Sequence, residues 1–245
     1  MELFINADDF GLSPGVNRAI VDAFARGLIT GTTALANAPA FEEACALAHQ
    51  HGLLDAVGIH FVLTDDEPLT DPIRRMPRFC GPDGRFCYVR PGNPLFVVSA
   101  EEREALGREF IAQVERCRAA GLPIVHCDSH HHVHNEWPIF AIVREVARQE
   151  GIRSCRLARN CGAGIRLPHR LYKAALNARI RASGLARTRY FGGIDDVLDL
   201  ASRDRNPSAE VMVHPIYEGE VILDGCDGEP LEAGIARLTM SLSPA

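Results

Sequence analysis

The feature that most constrains the fold of this chain is an alternation of short apolar segments with longer helical segments. The apolar segments have the length and composition of buried strands, and they lie at 3–7, 32–36, 56–62, 123–128, 153–157 and 209–213. Helix-start signals or helical periodicity mark the segments at 14–26, 41–51, 99–120, 138–149 and 168–182. Strands that alternate with helices in this way predict an α/β fold with a mostly parallel sheet or barrel.

The length of the chain is consistent with one domain. Its 245 residues, of which 47% are hydrophobic, are enough for one substantial core, and α/β barrels of this size commonly form a single domain. We therefore expect residues 1–245 to form one domain. Residues 64–98 are rich in proline, glycine and aspartate, and we expect them to form a long loop or lid rather than a linker.

Charge and cysteine usage argue against several functions and locations. The net charge of −6 argues against binding to a nucleic-acid backbone. No apolar run approaches the roughly 18–20 residues of a membrane span. No secretory signal is visible after Met1, so we expect a cytoplasmic protein without membrane contact. The eight cysteines are scattered and form no Cys-x-x-Cys pair, which favours reduced thiols over a zinc ribbon.

Polar clusters accompany three of the predicted strands. Cys127–His134 carries an aspartate and four of the ten histidines. Asp8 and Asp9 follow the first strand, and adjacent carboxylates repel each other unless they share a cation or a proton. His60 lies in another apolar strand. A simpler interpretation exists for each cluster, namely an exposed histidine loop, an aspartate-rich turn and a core histidine. Together, at strand ends, they indicate one metal site with nitrogen and oxygen ligands.

Four segments of the chain form a recognisable set, namely Asn6–Ser13, Gly58–Thr64, Asp128–His134 and Glu210–Pro215. In this order and approximate spacing they resemble the YdjC-like carbohydrate deacetylases, a family that includes chitooligosaccharide deacetylases and a hopanoid-associated branch. The resemblance implies a distorted (β/α) barrel. It also implies hydrolysis of the N-acetyl group of a sugar or short oligosaccharide with the help of one divalent metal ion.

The resemblance further implies roles for individual residues. By their positions in the motifs, Asp9, His60 and His130 are the ligands of the metal ion. Asp8 is the general base that activates water, and His214 is a candidate general acid for the departing amine. An acetamide needs such groups because it is a poor electrophile with a poor leaving group. A base beside a cation has a lowered pKa, so another feature, such as burial, has to offset this effect.

Three further residues have weaker assignments. His132, His134 and Arg156 are candidates for contacting substrate or for supporting the site from behind, and His134 is also an alternative metal ligand. Magnesium or zinc is the expected metal, with manganese, cobalt and nickel as alternatives. The expected partner is a small N-acetylated sugar, and a homodimer is left open.

Other interpretations stay open from the sequence. The chain could be another metal-dependent amide or phosphodiester hydrolase on the same scaffold, or a non-catalytic metal- or sugar-binding homologue. Residues 158–208 carry no recognised motif, and we expect the Arg-rich stretch 166–189 to be a solvated helix face. The segment after residue 230 supplies no evident closing strand and helix, so closure of the barrel is left open.

Overall fold

Seven strands and their flanking helices make up the fold of the computed structural model, which describes residues 2–90, 95–201, 203 and 207–242. The strands of the main sheet are β1 (Glu2–Phe10), β2 (Gly31–Ala34), β3 (Val57–Phe61), β4 (His126–Ser129), β5 (Ser154–Cys155), β6 (Tyr190–Gly192) and β7 (Ser208–Val213). The α-helices are α1 (Pro14–Ala25), α2 (Phe41–Gln50), α3 (Asp71–Arg74), α4 (Ala100–Ala119), α5 (Trp137–Gln149), α6 (Leu167–Ala182), α7 (Ile194–Ala201) and α8 (Leu231–Leu242). Within these described ranges, no helix combines the length and apolar character that crossing a bilayer requires.

The main sheet is parallel throughout, with strand order β5-β4-β3-β2-β1-β7-β6. Its two edges approach each other. The Cys155 amide of β5 donates to the Leu185 carbonyl at 2.7 Å, and the Asn160 amide donates to the Phe191 carbonyl of β6 at 3.2 Å. The sheet is therefore curled into a half-barrel whose edges these contacts connect, which confirms the predicted α/β class and distorted barrel.

The two faces of the strands have opposite character. Because successive side chains of a strand alternate, Ile59 and Cys127 lie in the apolar layer, while their neighbours His60 and Asp128 lie on the other face. The register of β3 against β4 places His60 directly beside Asp128. The helices therefore cover an apolar outer face, and polar side chains occupy the inside of the half-barrel.

Several elements were not predicted. Residues 158–208 contain β6 and α7 as well as the expected α6, and the Arg-rich stretch is mostly exposed, as predicted. β7 ends at Val213, where the sequence predicted a strand end, and Pro215 begins an antiparallel hairpin of β8 (Pro215–Glu218) and β9 (Val221–Asp224). The C-terminal segment does supply a packed helix, since Leu231 and Leu238 of α8 are fully buried. This corrects the view that nothing evident follows residue 230.

The segment 64–98 is only partly a loop. It contains α3, and its side chains Ile73 and Phe79 are fully buried. Glu109 of α4 accepts two backbone N–H groups of this segment, at 3.0 and 2.9 Å. Residues 91–94 of the predicted lid lie outside the described residues. The part before them is therefore packed against α4 rather than standing free.

Candidate active site

Two adjacent aspartates face one site because β1 is irregular at its carboxyl end. Asp8 accepts a hydrogen bond from Asn6 Nδ2 at 2.8 Å. Because the two residues are two positions apart on β1, both side chains lie on the inner face of the half-barrel. Asp9 has a left-handed backbone, with φ of 70°, and the pairing of β1 with β2 shifts register between Ala7 and Phe10. This bulge turns Asp9 out of strict alternation, so both carboxylates lie close to the same histidine, described next.

The structure brings Asp9, His60 and His130 together. Asp9 Oδ1 lies 2.9 Å from His130 Nδ1 and 3.4 Å from His60 Nε2. Neither contact has hydrogen-bond geometry, so this buried oxygen lacks a hydrogen-bond donor. The three ligand atoms lie within 4.8 Å of one another. Two imidazoles and one carboxylate, whose Oδ1 has no hydrogen-bond donor, fit a divalent cation. Such a set of three ligands leaves coordination positions free for water and substrate.

His60 is held from behind by Asp128 and Thr33. Asp128 Oδ1 lies 2.6 Å from His60 Nδ1, and Thr33 Oγ1 donates to Asp128 Oδ2 at 3.1 Å. A hydrogen bond from Nδ1 to a carboxylate fixes the tautomer and leaves Nε2, which faces Asp9, as the ligand atom. Burial opposes protonation of His60, but the carboxylates of Asp128 and Asp8 raise its pKa to about 10. The surroundings of this ring therefore favour positive charge.

Arg156 is fully buried and contacts three carboxylates. It donates to the two oxygens of Asp8, each at 2.6 Å, and its Nη2 lies 2.7 Å from Asp128 Oδ2. Its Nε donates to Glu210 Oε1 at 2.5 Å. Arg156 thus supports the site from behind, which is one of the two roles that the sequence left open for it, and its contact with Asp8 is bidentate, which fixes the plane of the carboxylate.

The carboxylates around Arg156 respond differently to burial. Burial raises the pKa of Asp8, but attraction and hydrogen bonding to Arg156 prevail, so the pKa of Asp8 is well below its usual range. Burial therefore does not offset the effect of the nearby positive charge on the pKa of Asp8, although a strong general base would need such an offset. Asp8 stays ionised at neutral pH. For Glu210 burial prevails over Arg156 and raises the pKa to about 7. Asp8 is the permanently charged partner of the arginine.

His214 reaches the same end of the barrel from β7. Its Nε2 lies 3.9 Å from Asp8 Oδ2. On the other side of the ring, Nδ1 lies 3.0 Å from Cys226 Sγ and 3.8 Å from Asp224 Oδ1. Asp224 Oδ1 also accepts the backbone N–H groups of His214 and Cys226, at 3.0 and 3.2 Å. The hairpin therefore holds the ring with Nε2 directed toward Asp8.

The histidine run forms two short 3₁₀ turns joined by a kink within His130–Asn135, rather than an extended strand or an α-helical turn. Within it His131 and His132 have left-handed backbones, with φ of 50° and 54°. His134 is consequently buried against Ser129, whose Oγ lies 2.5 Å from His134 Nδ1. The structure does not place His134 with the candidate metal ligands, because the double left-handed turn breaks the periodicity on which that alternative depended.

A cavity of about 930 Å³ adjoins this cluster, a volume that suits a small sugar. His132, Phe191 and Met212 contribute to its lining, and the Arg156 guanidinium lies 4.8 Å from the centroid of the Phe191 ring. The His132 ring packs edge-on against Phe191, with centroids 5.8 Å apart. Burial lowers the pKa of His132 to about 3, so this ring is neutral at physiological pH. His132 therefore lines this cavity as a neutral ring, and its contact with substrate stays a prediction.

Sequence reasoning missed several residues of the site. Asp128 and Glu210 were inside recognised motifs but received no role, although Asp128 lies two residues before His130 and Glu210 lies four residues before His214. That spacing places both on the inward face and was the available signal. Thr33, Asp224 and Cys226 carried no comparable signal, because their contacts depend on strand pairing and on a hairpin that the sequence did not predict.

Comparisons with known proteins agree with this fold and site. The sequence model of the YdjC-like protein family matches residues 2–237. A carbohydrate deacetylase of Geobacillus stearothermophilus is 39% identical over 216 residues, which cover 87% of this chain and 78% of that protein. A chitooligosaccharide deacetylase of Klebsiella pneumoniae is 34% identical, covering 90% of this chain and 84% of that protein. A crystal structure from Enterococcus faecalis, described as a cellobiose-phosphate cleavage protein, has a TM-score of 0.67 at 25% identity and covers 89% of this chain and 82% of its own.

The fold and the site together define an α/β half-barrel protein with a carboxylate–histidine cluster at the carboxyl ends of its strands. The chain belongs to the YdjC-like family, since the match extends over nearly its whole length. This confirms the resemblance on which the four motifs were grouped.

Proposed function

We propose that this protein is a metal-dependent carbohydrate N-deacetylase, which removes the acetyl group from an N-acetylated sugar or short oligosaccharide and releases acetate. The observation that carries the proposal is the meeting of the group Asp9–His60–His130 with Asp8 and His214 at one end of the barrel. The names of the bacterial relatives support a carbohydrate substrate. We expect magnesium or zinc, with manganese, cobalt and nickel as alternatives. The cytoplasmic location and the homodimer stay predictions.

The base side of the reaction is assigned to Asp8. Asp9, His60 and His130 would hold the cation, which when bound polarises the acetyl carbonyl and lowers the pKa of water. Asp8 takes a proton from the attacking water. Because Arg156 lowers the pKa of Asp8, this carboxylate is a weak base, and its contribution comes mainly from fixed orientation.

The acid side is assigned to His214. Nε2 of its ring points toward the space beside Asp8, and it donates a proton to the sugar nitrogen as the C–N bond breaks. Asp224 lies on the Nδ1 side, where a carboxylate stabilises the protonated ring. Water attack and departure of the amine thus take place on one acetamide group that lies beside both side chains.

The test is acetate release from a panel of N-acetylated sugars and short chitooligosaccharides, after chelation and after return of single divalent metals. Asp8→Asn and Asp9→Asn form a matched pair of isosteric variants. We expect Asp8→Asn to retain metal and lose most activity, and Asp9→Asn to lose metal. His51→Asn, an exposed histidine in the turn after α2, is the control and should behave like the wild type.

Two results would contradict the proposal. One is the absence of acetate release from every sugar at full metal occupancy. The other is hydrolysis of an activated phosphodiester at a rate above that of any N-acetyl sugar, which would favour the phosphodiester hydrolase alternative. If Asp8→Asn loses metal and Asp9→Asn keeps it, the roles of the two aspartates are exchanged.

A further inference from the structure

The hairpin β8–β9 carries a second group of potential metal ligands, made of His214, Asp224 and Cys226. It differs from the Asp9–His60–His130 group in one respect, because it contains a thiol. We propose that this group is an inhibitory site for a thiophilic divalent cation such as Zn²⁺, which binds His214 Nδ1, an Asp224 oxygen and Cys226 Sγ. Cation binding here is independent of the proposed function, whereas the inhibitory consequence rests on it.

The geometry of the three ligand atoms is close to that of a zinc site. His214 Nδ1 lies 3.0 Å from Cys226 Sγ and 3.8 Å from Asp224 Oδ1. In a tetrahedral zinc site with ordinary bond lengths, neighbouring ligand atoms are about 3.3–3.6 Å apart. The hairpin makes this arrangement firm, since the Gly225 amide donates to the His214 carbonyl at 2.8 Å. The two distances from His214 Nδ1 differ from these values by about half an ångström or less, and all three ligand atoms lie within 4.8 Å of one another.

The electrostatic surroundings also favour a cation. Asp224 is buried, and in the described part of the chain its ion pairing is with His214 and with no lysine or arginine. Asp8 and Asp227 add further negative charge around Cys226. Burial and the Asp224 carboxylate raise the pKa of Cys226 to about 11, so the free thiol is neutral. A thiophilic cation displaces that proton on binding, and the exposed position of Cys226 gives it access.

Occupation of this site would disable His214 as an acid. A ring bound to metal through Nδ1 cannot also hold a proton there, so it cannot be an imidazolium. Nε2 would then have to release its proton from a neutral ring, which is a far weaker acid than imidazolium. Zinc bound to the proposed ligands would therefore prevent His214 from protonating the departing amine. It would displace no ligand of the Asp9–His60–His130 group.

Cobalt substitution tests the site without reference to activity. The Asp9–His60–His130 group contains no sulfur, so a thiolate-to-cobalt charge-transfer band in the near ultraviolet reports a cysteine ligand. We expect Co²⁺ to give this band in the wild type and in Cys87→Ser, a matched variant at another exposed cysteine. We expect Cys226→Ser to lose the band and to bind one fewer cobalt ion per chain. A wild type without the band, or a Cys226→Ser variant that keeps it, would overturn the proposal.

Zinc inhibition tests the consequence on the chosen N-acetyl sugar. Removing a direct ligand should weaken zinc binding at least as much as loss of a supporting residue, which costs about 10–100-fold. The zinc concentration for half-inhibition should therefore rise by at least about 10-fold in Cys226→Ser, measured relative to the uninhibited rate of the same variant. Equal inhibition of Cys226→Ser and Cys87→Ser would show that zinc acts elsewhere. An inactive protein that shows the cobalt band would contradict the proposed function and leave the metal site standing.

Discussion

Replacing Arg156 by lysine is the sharpest test of the buried charge cluster. The substitution keeps one positive charge but replaces a planar fork of donors by a single ammonium group. Arg156 makes four close contacts, two with Asp8, one with Asp128 and one with Glu210, between 2.5 and 2.7 Å. An ammonium group has three donors at one point, so it cannot reproduce the bidentate pair and also reach the other two carboxylates.

The expected loss of stability follows from the contacts that lysine leaves unmade. A hydrogen bond to a charged group contributes about 1.5–3 kcal/mol, and removing a partner from a buried ion pair costs about 3–5 kcal/mol. Because the charge itself is kept, we expect Arg156→Lys to lower the free energy of unfolding by about 3 kcal/mol. Urea unfolding measures this value. Arg118→Lys makes the same chemical change at a partly exposed pair with Glu150, and it should cost no more than about 1 kcal/mol.

The same variant has a predicted effect on the pH dependence of activity. Arg156 lowers the pKa of Asp8, so weakening the pair raises that pKa, and the ionised base is lost at a higher pH. The acid limb of kcat/KM should therefore move to higher pH in Arg156→Lys, and kcat should fall by about 10²-fold because the carboxylate is no longer fixed. Metal content should be unchanged. An unshifted acid limb together with wild-type stability would refute the assignment of Arg156 as the group that positions Asp8.

Three further predictions concern residues around this cluster. Asp128→Asn should weaken metal binding by about 10–100-fold, measured by chelator competition, because the acceptor that orients His60 loses its negative charge. Burial raises the pKa of Glu210 to about 7, so between about pH 4.5 and 7 the folded state holds a proton that the unfolded chain has released. The free energy of unfolding should therefore fall by at most about 3 kcal/mol as the pH rises over this range, and Glu210→Gln should abolish this pH dependence in urea unfolding. His214→Ala should lower kcat by about 10²–10⁴-fold on N-acetyl sugars with metal content unchanged, and should affect an activated aryl acetate ester much less; equal losses on both substrates would argue against an acid role.

From the sequence, site residues at the ends of strands could be identified far better than site residues that contact them from a neighbouring strand. Asp8, Asp9, His60 and His130 stand beside apolar runs, and the carboxyl ends of parallel strands meet at one edge of the sheet, so their proximity was predictable. The support of His60 by Asp128 was not, because it depends on the register of β3 against β4. A shift of one residue in that register would place a different side chain beside the ring.

Local backbone conformation accounts for the remaining differences. The bulge at Asp9 and the left-handed pair His131 and His132 both break a simple period, and periodicity was the only guide to side-chain direction. β6 has three residues, which is too few for an apolar pattern to be recognised in a polar stretch. The hairpin β8–β9 was missed for a related reason, since each of its strands has only four residues.

The charge balance inside the barrel explains why a cation site and a buried arginine occur together. Asp8 and Asp128 both contact Arg156 and Asp9 lies nearby, so one arginine cannot neutralise these three aspartates, even when Glu210, whose pKa is about 7, holds a proton. The excess negative charge raises the pKa of His60, and a proton on that ring would partly neutralise it. A divalent cation held by Asp9 and the two histidines would also neutralise this excess charge. The cation would displace the proton on His60, because a ligating imidazole has to be neutral. Asp128 behind His60 therefore strengthens the site for metal, while Arg156 holds the Asp8 carboxylate ionised and in place, so a single buried network would serve both the cation and the base.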